Sequence, residues 1–182
     1  MKRAPRYTDT MFTFCPTCAS RAIYFEQDKV FRCPDCGFVY YHNVAAATGC
    51  IIDTGSAIAF TVRAKAPAAG KLALPGGFVN PDEGAFEGLR RECLEEIGWD
   101  PGPEALLYAS FPNIYPYAGI VYHTCDLFFS VFAPSVREET FHLDPDEIAE
   151  VRFIAYDKVN FDDLAFDSTR RAVQAFLRKK SV

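Results

Sequence analysis

A glycine corner that leads into a glutamate-rich helix constrains this chain more than any other feature. Pro75-Gly76-Gly77 predicts a backbone turn that glycines adopt easily. Residues 84–97 have the spacing of an amphipathic helix, and Gly98 is a typical helix stop. A turn of this kind in front of a helix brings the backbone of the corner close to one face of the helix.

Three glutamates share one face of this predicted helix. At about 100° per residue, Glu96 lies about 40° from Glu92 and Glu95 lies about 60° on the other side. Their arc borders the apolar stripe formed by Phe86, Leu89, Cys93 and Ile97. Gly88 falls on the acidic face and predicts space there for a metal ion or a phosphate.

Carboxylates three and four residues apart repel each other. Such a cluster therefore requires either bound cations or exposure to solvent. One interpretation is a solvated acidic face. The other is a site for hard divalent cations, which prefer oxygen ligands and bridge proteins to phosphates. The carboxylates border the apolar stripe instead of opposing it, and this favours the metal site.

The segment from Gly77 to Trp99 resembles the Nudix box over its whole length. The shared glycine and charged positions are Gly77, Glu83, Arg91, Glu92, Glu95, Glu96 and Gly98. The departures are Cys93 and Trp99, where the box has aliphatic residues. The resemblance implies a Nudix α/β/α sandwich with a mixed sheet, in which a divalent metal helps water to cleave a pyrophosphate bond.

The resemblance also implies the roles of individual residues. Glu92, Glu95 and Glu96 would bind Mg²⁺ or Mn²⁺, the Gly77 carbonyl would add a ligand, and Arg91 would orient the glutamates by salt bridges. Metal cations would also explain how a chain with a net charge of −5 handles anionic phosphates.

Two Cys-x-x-Cys pairs precede this domain. Cys15 and Cys18 are followed by Cys33 and Cys36 at a spacing typical of a zinc ribbon, and Gly37 would relieve the last turn. Redox activity is the alternative for a single pair, whereas two pairs favour structural zinc. We therefore predict a zinc ribbon over residues 1–42 and a Nudix hydrolase domain over residues 43–182.

Composition limits the possible partners. Hydrophobic residues make up 49% of the chain, enough for a buried core. Basic residues form no extended run, so a nucleic-acid partner is not expected. No apolar stretch reaches the length of a membrane helix, and the first six residues lack the apolar segment of a secretory signal. The odd number of cysteines fits a reducing compartment, so we expect a cytoplasmic protein.

The remaining pattern predicts strands before and after the central helix and a second helix at the end. The predicted strands are 44–52, 57–63, 71–74, 106–110, 120–132 and 151–155. Asp167 or Ser168 would cap the final helix, which runs through Leu177. This order suggests a mixed sheet between helices.

A ribbon in front of a Nudix domain resembles the NADH pyrophosphatase group, which has a Ser-Gln-Pro-Trp-Pro-Phe-Pro array after the box. Here Ser110, Pro112 and Pro116 match the array, and Tyr115 replaces its Phe. The Gln and the Trp are missing. We expect Ser110, Pro112 and Tyr115 to line the substrate pocket, with Tyr115 and Tyr117 stacking on an adenine, unless both tyrosines belong to the core.

The same resemblance suggests a further metal ligand in Asp144-Pro145-Asp146-Glu147, namely Glu147, with Glu150 as the alternative. The expected reaction is hydrolysis of a nucleoside diphosphate linked to another group. NAD(H) is the first candidate and would yield AMP and nicotinamide mononucleotide; ADP-ribose is the second. A non-catalytic ligand sensor or a nucleic-acid-binding adaptor is the alternative of another class. A homodimer is implied by the resemblance alone.

Overall fold

The computed structural model describes residues 12–27, 29–117 and 120–180. Within these ranges the chain forms two compact units. One contains residues up to Val44 together with the segment Ile114–His123, and the other contains Ala45–Asn113 and the chain from Thr124 onward. The domain limits 1–42 and 43–182 stay a prediction.

The described helices and strands follow one another in this order: β1 Tyr24–Glu26, β2 Val30–Arg32, β3 Val39–Tyr41, β4 Ala45–Asp53, β5 Ala57–Arg63, β6 Leu72–Ala73, α1 Ala85–Ile97, β7 Leu106–Tyr117, β8 Ile120–Phe132, β9 Ile148–Ala155 and α2 Asp167–Lys180.

The first unit contains an antiparallel sheet in the order β1-β2-β3. Phe31, on its central strand, is fully buried. The ring of Phe31 lies 4.9 Å from that of Phe12, 5.3 Å from that of Phe25 and 5.9 Å from that of Phe38. So small a sheet buries little apolar surface, which makes a second source of stability necessary.

The second unit is built around a mixed sheet in the order β6-β5-β4-β8-β7, with β9 pairing β5. The strands β4 and β8 are parallel over nine register pairs from Ala45↔Thr124 to Asp53↔Phe132. The pairs β4–β5, β5–β6 and β5–β9 are antiparallel. The sheet therefore has the mixed character that the order of predicted elements indicated.

Alternation along the central strands gives the sheet two apolar faces. Cys50 and Ile52 of β4 pack with Leu89, Cys93 and Ile97 of α1. Ile51, between them in sequence, faces the other way and belongs to a cluster that contains Ala172, Val173 and Phe176 of α2. One helix on each face makes this unit an α/β/α sandwich, as predicted.

The central helix starts and stops close to the predicted positions. The carboxylate of Glu87 accepts a hydrogen bond of 2.6 Å from the backbone N–H of Gly84, which precedes the helix. Gly98 ends it with φ of 60°, and its N–H donates to the carbonyl of Leu94 at 3.1 Å. Left-handed backbone of this kind favours glycine.

Other elements differ from the sequence prediction. The strand β7 continues to Tyr117 instead of ending at Ser110, and β9 starts at Ile148 instead of Val151. The hydroxyl of Ser168 does not cap the final helix; Ser168 is buried in its first turn and donates a hydrogen bond of 2.6 Å to the buried Asp126. Among the described residues, no helix is long and apolar enough to cross a membrane.

Candidate functional site

The glycine corner lies directly against β4. The N–H of Cys50 donates to the carbonyl of Pro75 at 2.9 Å, and the N–H of Thr48 donates to the carbonyl of Gly77 at 2.8 Å. Gly76 has φ of 138°, and a Cβ there would overlap the backbone of Thr48. The corner needs glycine for both reasons.

Gly77 also makes room for the helix carboxylates. A Cβ at this residue would stand 2.5 Å from Oε2 of Glu92. The carbonyl of Gly77 accepts from the backbone N–H of Thr48 at 2.8 Å and from its hydroxyl at 3.5 Å; the longer bond is the weaker one, and a cation could replace it. The Glu92 carboxylate therefore lies directly against the backbone of the glycine corner, and oxygen ligands of both kinds suit a hard cation.

Arg91 joins three of the glutamates. Its guanidinium donates to Oε1 of Glu83 at 2.6 Å, to Oε1 of Glu92 at 2.7 Å and to Oε2 of Glu95 at 2.9 Å. A further bond of 2.9 Å goes to the carbonyl of Phe78. These bonds raise the pKa of Arg91 further, with Glu83 contributing most. The arrangement holds the carboxylates in fixed positions at the end of the glycine corner.

The three helix glutamates differ in burial, as their wheel positions indicated. Glu96 is 7% exposed, Glu92 is half-buried and the Glu95 side chain is 59% exposed. The N–H of Gly76 donates to Oε2 of Glu96 at 2.9 Å. Glu96 thus lies at the border of the core and Glu95 at the surface.

Burial and mutual repulsion shift the titration of two of these carboxyls. Burial raises the pKa of Glu96 to about 8, and the charges of Glu92 and Glu147 add to the rise. Burial also raises the pKa of Glu92 against the opposing effect of Arg91. A cation placed among these groups would reverse the effect by favouring their charged forms.

Glu147 lies close enough to this cluster for its charge to raise the pKa of both Glu92 and Glu96. Its Oε1 accepts a hydrogen bond of 2.6 Å from the ammonium of Lys65. Glu150, the alternative ligand, instead forms an ion pair with Arg152. Between the two candidates, this geometry favours Glu147.

One expectation about the helix needs correction. A Cβ on Gly88 would meet Oε1 of Glu83 at 3.0 Å and a methyl group of Val79 at 3.4 Å. The space beside Gly88 therefore accommodates the side chains of the preceding loop, and it leaves no separate opening for a metal ion or a phosphate.

The donor set of this site fits Mg²⁺ or Mn²⁺. Glu92 and Glu96 are carboxylates withdrawn from solvent, and Glu147 adds a third nearby charge. Gly77 leaves a cradle that any larger residue would fill. Oxygen ligands of this kind in a partly buried site favour hard divalent cations.

A second candidate metal site lies in the first unit. The sulfur atoms of Cys15, Cys18, Cys33 and Cys36 all lie within 4.8 Å of one another. The Sγ atoms of Cys15 and Cys36 are 3.6 Å apart, as are those of Cys18 and Cys33. These separations are far longer than a disulfide bond and are compatible with four thiolates around one zinc ion.

The two cysteine pairs have the same backbone geometry. The N–H of Ala19 donates to the carbonyl of Cys15, and the N–H of Gly37 donates to that of Cys33, each at 2.9 Å. Both donors have positive φ, 57° for Ala19 and 75° for Gly37. Burial raises the pKa of Cys15, but backbone N–H groups outweigh it and lower this pKa to about 6. For Cys18 and Cys36 the effect of backbone N–H groups is outweighed by burial and the neighbouring thiols, which raise the pKa. A zinc ion would favour the thiolate form of all four cysteines.

The predicted substrate array lies within a strand. From Ser110 onward, exposed and half-buried residues alternate along β7, with Ser110 and Pro112 exposed and Tyr115 half-buried. Tyr117 is 53% exposed, and its ring lies 6.2 Å from that of Tyr115. Ser110 and Pro112 belong to the second unit, whereas both tyrosines belong to the first.

Lys65 is a residue that the sequence did not single out. It follows β5, and its partner Glu147 precedes β9, which pairs with β5. In sequence Lys65 is an ordinary loop residue among small ones. Only the pairing of β5 with β9 brings it to the carboxylates, and nothing in the local pattern indicates that pairing.

Fold and site together define the class: an α/β/α sandwich in which a glycine corner and a helix present clustered carboxylates. The model of the NUDIX domain matches residues 42–176. This match spans most of the chain, and the chain belongs to the NUDIX family.

Similar proteins agree with this assignment. The NAD-capped RNA hydrolase NudC of Chromobacterium violaceum is 32% identical over 87 residues, which are 47% of this chain and only 32% of that relative. A NUDIX hydrolase from Nitrosomonas europaea is 22% identical with a TM-score of 0.64, and the match covers 92% of each chain.

A second similar structure contains a ligand. The NUDIX domain of Shewanella oneidensis NrtR, solved in complex with ADP ribose, is 17% identical with a TM-score of 0.60. The match covers 78% of this chain and 91% of that one. At these identities the two solved structures show a similar fold and nothing more.

Proposed function

We propose that this chain is a metal-dependent hydrolase of the pyrophosphate bond in a nucleoside diphosphate linked to another group. One observation carries the proposal. The charges of Glu92 and Glu147 raise the pKa of Glu96, and that of Glu147 raises the pKa of Glu92, although Arg91 and Lys65 already pair with two of these three carboxylates. Such self-repulsion is retained in proteins where a cation or a proton transfer relieves it.

The proposed roles follow from the contacts of each residue. Arg91 holds Glu92 and Glu95, and the N–H of Gly76 holds Glu96, so the carboxylates are in position before a ligand arrives. Bound Mg²⁺ or Mn²⁺ would lower the pKa of a water molecule and offset the charge of the diphosphate. Glu92, Glu95, Glu96, Glu147 and the Gly77 carbonyl would hold these ions.

Two substrates are candidates within this class. The relative in Chromobacterium violaceum is an NAD-capped RNA hydrolase, which supports NAD(H) as the first, yielding AMP and nicotinamide mononucleotide. The ADP ribose bound to the NUDIX domain of NrtR supports ADP-ribose as the second. Ser110, Pro112, Tyr115 and Tyr117 are the proposed substrate-binding residues, with the tyrosines stacking on adenine.

A substrate panel tests this function. The full chain is incubated with Mg²⁺ or Mn²⁺ and NADH, NAD, ADP-ribose, NAD-capped RNA, dinucleoside polyphosphates or nucleoside triphosphates, and products are separated by chromatography. Release of AMP from NADH supports the first candidate, and preference for ADP-ribose supports the second. No turnover on the whole panel would overturn the catalytic proposal in favour of a ligand sensor or adaptor.

The adenine-stacking role has its own test. Replacing Tyr115 by Ala removes an aromatic face, so we expect KM for NADH to rise about tenfold, since base stacking is worth about 1–3 kcal/mol per base. Tyr24→Ala, on an exposed strand of the ribbon, is the matched control and should leave KM unchanged. Equal kinetics of wild type and Tyr115→Ala would remove Tyr115 from the site.

Three further proposals concern the rest of the protein. A structural zinc held by Cys15, Cys18, Cys33 and Cys36 would stabilise the first unit. A homodimer is proposed from the family resemblance, and light scattering at several concentrations measures it. A cytoplasmic location is proposed from the cysteine pattern of the sequence.

A further inference from the structure

The ammonium of Lys65 lies 2.6 Å from Oε1 of Glu147. The side chains are 51% and 41% exposed, respectively. An ion pair with this much solvent contact is held weakly and exchanges partners readily. The Glu147 carboxylate can therefore leave Lys65 for a stronger cation.

The backbone brings these two residues together at the end of a strand pair. The register of β5 and β9 shifts between Val62 and Arg63. Beyond the shift, the N–H of Ala64 donates to the carbonyl of Glu147 at 2.8 Å. Irregular pairing of this kind redirects side chains and is frequent beside active sites. Here it directs Lys65 towards the acidic loop.

A neighbouring cation behaves differently. The Nε of Arg63 donates to the carbonyl of Pro67 at 2.7 Å, and its guanidinium lies 5.2 Å from the ring centre of Phe166. The charge of Arg63 helps to lower the pKa of Glu96. Arg63 is thus fixed by the loop, whereas the ammonium of Lys65 is paired with a carboxylate that could also bind a cation.

We propose that Lys65 is an exchangeable cation of the active site. It neutralises Glu147 while the metal site is empty. When a divalent cation takes the Glu147 carboxylate, the released ammonium binds a phosphoryl oxygen of the diphosphate. This inference rests on the proposed function, and it assigns to Lys65 a role in binding substrate phosphate.

The chemistry of lysine suits this exchange. Its ammonium is a compact point charge on a flexible stem, and it binds phosphate without the fixed two-pronged geometry of arginine. Glu147 already affects the pKa of Glu92 and Glu96, so its partner Lys65 lies beside the same cluster. A diphosphate bridged to that cluster by cations would bring negative charge to the side where Lys65 lies.

The first test measures metal binding without substrate. Mn²⁺ titrations of the zinc-loaded full chain are followed by electron paramagnetic resonance. Lys65→Gln removes the competitor for Glu147, so we expect Mn²⁺ to bind about three- to tenfold more tightly, since about 1.4 kcal/mol is tenfold. Lys71→Gln is the matched control, because the Lys71 ammonium donates to the carbonyl of Asp162. Unchanged Mn²⁺ affinity in Lys65→Gln would overturn the exchange.

The second test measures phosphate binding. With Mn²⁺ saturating, calorimetric titration with ADP should show about tenfold weaker binding to Lys65→Gln than to wild type or Lys71→Gln. Lys65→Arg, which keeps the charge, should recover part of the loss. Equal ADP affinity in wild type and Lys65→Gln would overturn the phosphate role.

A double mutant separates this inference from the proposed function. In a Glu147→Gln background, Lys65→Gln should no longer tighten Mn²⁺ binding, because the shared carboxylate is gone. A tightening that persists would overturn the exchange at Glu147. If wild type hydrolyses no diphosphate, the proposed function fails, and the Mn²⁺ and ADP titrations still decide the role of Lys65.

Discussion

The backbone N–H of Gly76 donates a hydrogen bond of 2.9 Å to Oε2 of Glu96. This bond joins the glycine corner to the most buried carboxylate of the helix. The same corner is bonded to β4 through the carbonyls of Pro75 and Gly77. The position of Glu96 is therefore fixed by the sheet as well as by its own helix.

Glu96→Gln tests the catalytic assignment. A glutamine carbonyl can still accept the Gly76 N–H, but a neutral amide binds a cation poorly and cannot take up a proton. We expect Mg²⁺-dependent hydrolysis of NADH to fall about 100-fold or more, with the free energy of urea unfolding at about pH 5 changed by about 1 kcal/mol at most. Glu87→Gln, in the first turn of the same helix, is the control and should retain activity. Unchanged turnover in Glu96→Gln would exclude Glu96 from the mechanism.

The pKa of Glu96 predicts how the stability of the protein depends on pH. This pKa is about 8 in the folded protein, against the ordinary value of 4.5 in the unfolded chain. The folded state binds the proton more tightly, so this contribution is complete below about pH 4.5 and is lost as the pH rises through about 8. The full difference sets an upper bound of about 5 kcal/mol.

Urea unfolding at several pH values measures this effect. Without added Mg²⁺, wild type should lose about 2–4 kcal/mol more than Glu96→Gln between about pH 5 and pH 8.5. Added Mg²⁺ should reduce the loss, because a cation stabilises the ionised carboxylate that folding otherwise disfavours. Parallel stability curves for wild type and Glu96→Gln would show that Glu96 titrates normally.

Replacing Cys33 by Ser tests the zinc site. A serine hydroxyl is a poor replacement for a thiolate, so the variant should lose most of its zinc, and amide hydrogens in residues 15–41 should exchange faster. Cys125→Ser, outside the four-sulfur cluster, is the control and should keep wild-type zinc content. Zinc is measured by atomic emission. Full zinc content in Cys33→Ser would contradict the site.

Lys180→Met tests how the final helix is attached. The ammonium of Lys180 lies 2.6 Å from Oδ2 of Asp53, which is 3% exposed and also accepts hydrogen bonds from Tyr156 and the Gly55 N–H. Removing the lysine leaves a buried carboxylate without its cation. We expect a loss of about 2 kcal/mol, below the range for fully buried pairs because Lys180 is partly exposed.

Lys179→Met is the matched control for this variant. The ammonium of Lys179 lies over the ring of Tyr108 at 4.5 Å and is not bonded to Asp53 in the described contacts. An exposed cation–π pair is worth about 0.5–1 kcal/mol. Urea unfolding should therefore show the larger loss for Lys180→Met. Equal losses would mean that the Asp53 pair contributes no more than a surface contact.

The features that sequence predicted best depend on local spacing. Helical periodicity alone predicted that Glu96 lies beside the core, and the Glu96 side chain is indeed buried. The two Cys-x-x-Cys pairs likewise predicted a cluster of four sulfur atoms, because each turn brings its own two sulfurs together. Gly98 stops the helix where expected, since left-handed backbone favours glycine.

The features that sequence did not predict depend on particular side-chain contacts, one of them local and the others between distant segments. Gly88 was expected to leave an opening, but the side chain of Glu83 folds back over it. Asp167 or Ser168 was expected as a cap, but both lie inside the helix, and the buried Asp126 on β8 accepts the hydroxyl of Ser168. Lys65 reaches Glu147 only through strand pairing. The spacing of residues within one segment does not predict these contacts.

The parallel ladder between β4 and β8 has a consequence for how the chain folds. Its register joins residues about 80 positions apart, such as Ala45 and Thr124. Closing so large a loop is entropically costly and slows folding in general. During synthesis, β4 must wait for β8 to leave the ribosome, with its apolar residues Cys50 and Ile51 still without their final neighbours. Expression at reduced temperature, or with a chaperone that shields such strands, should therefore raise the yield of folded protein.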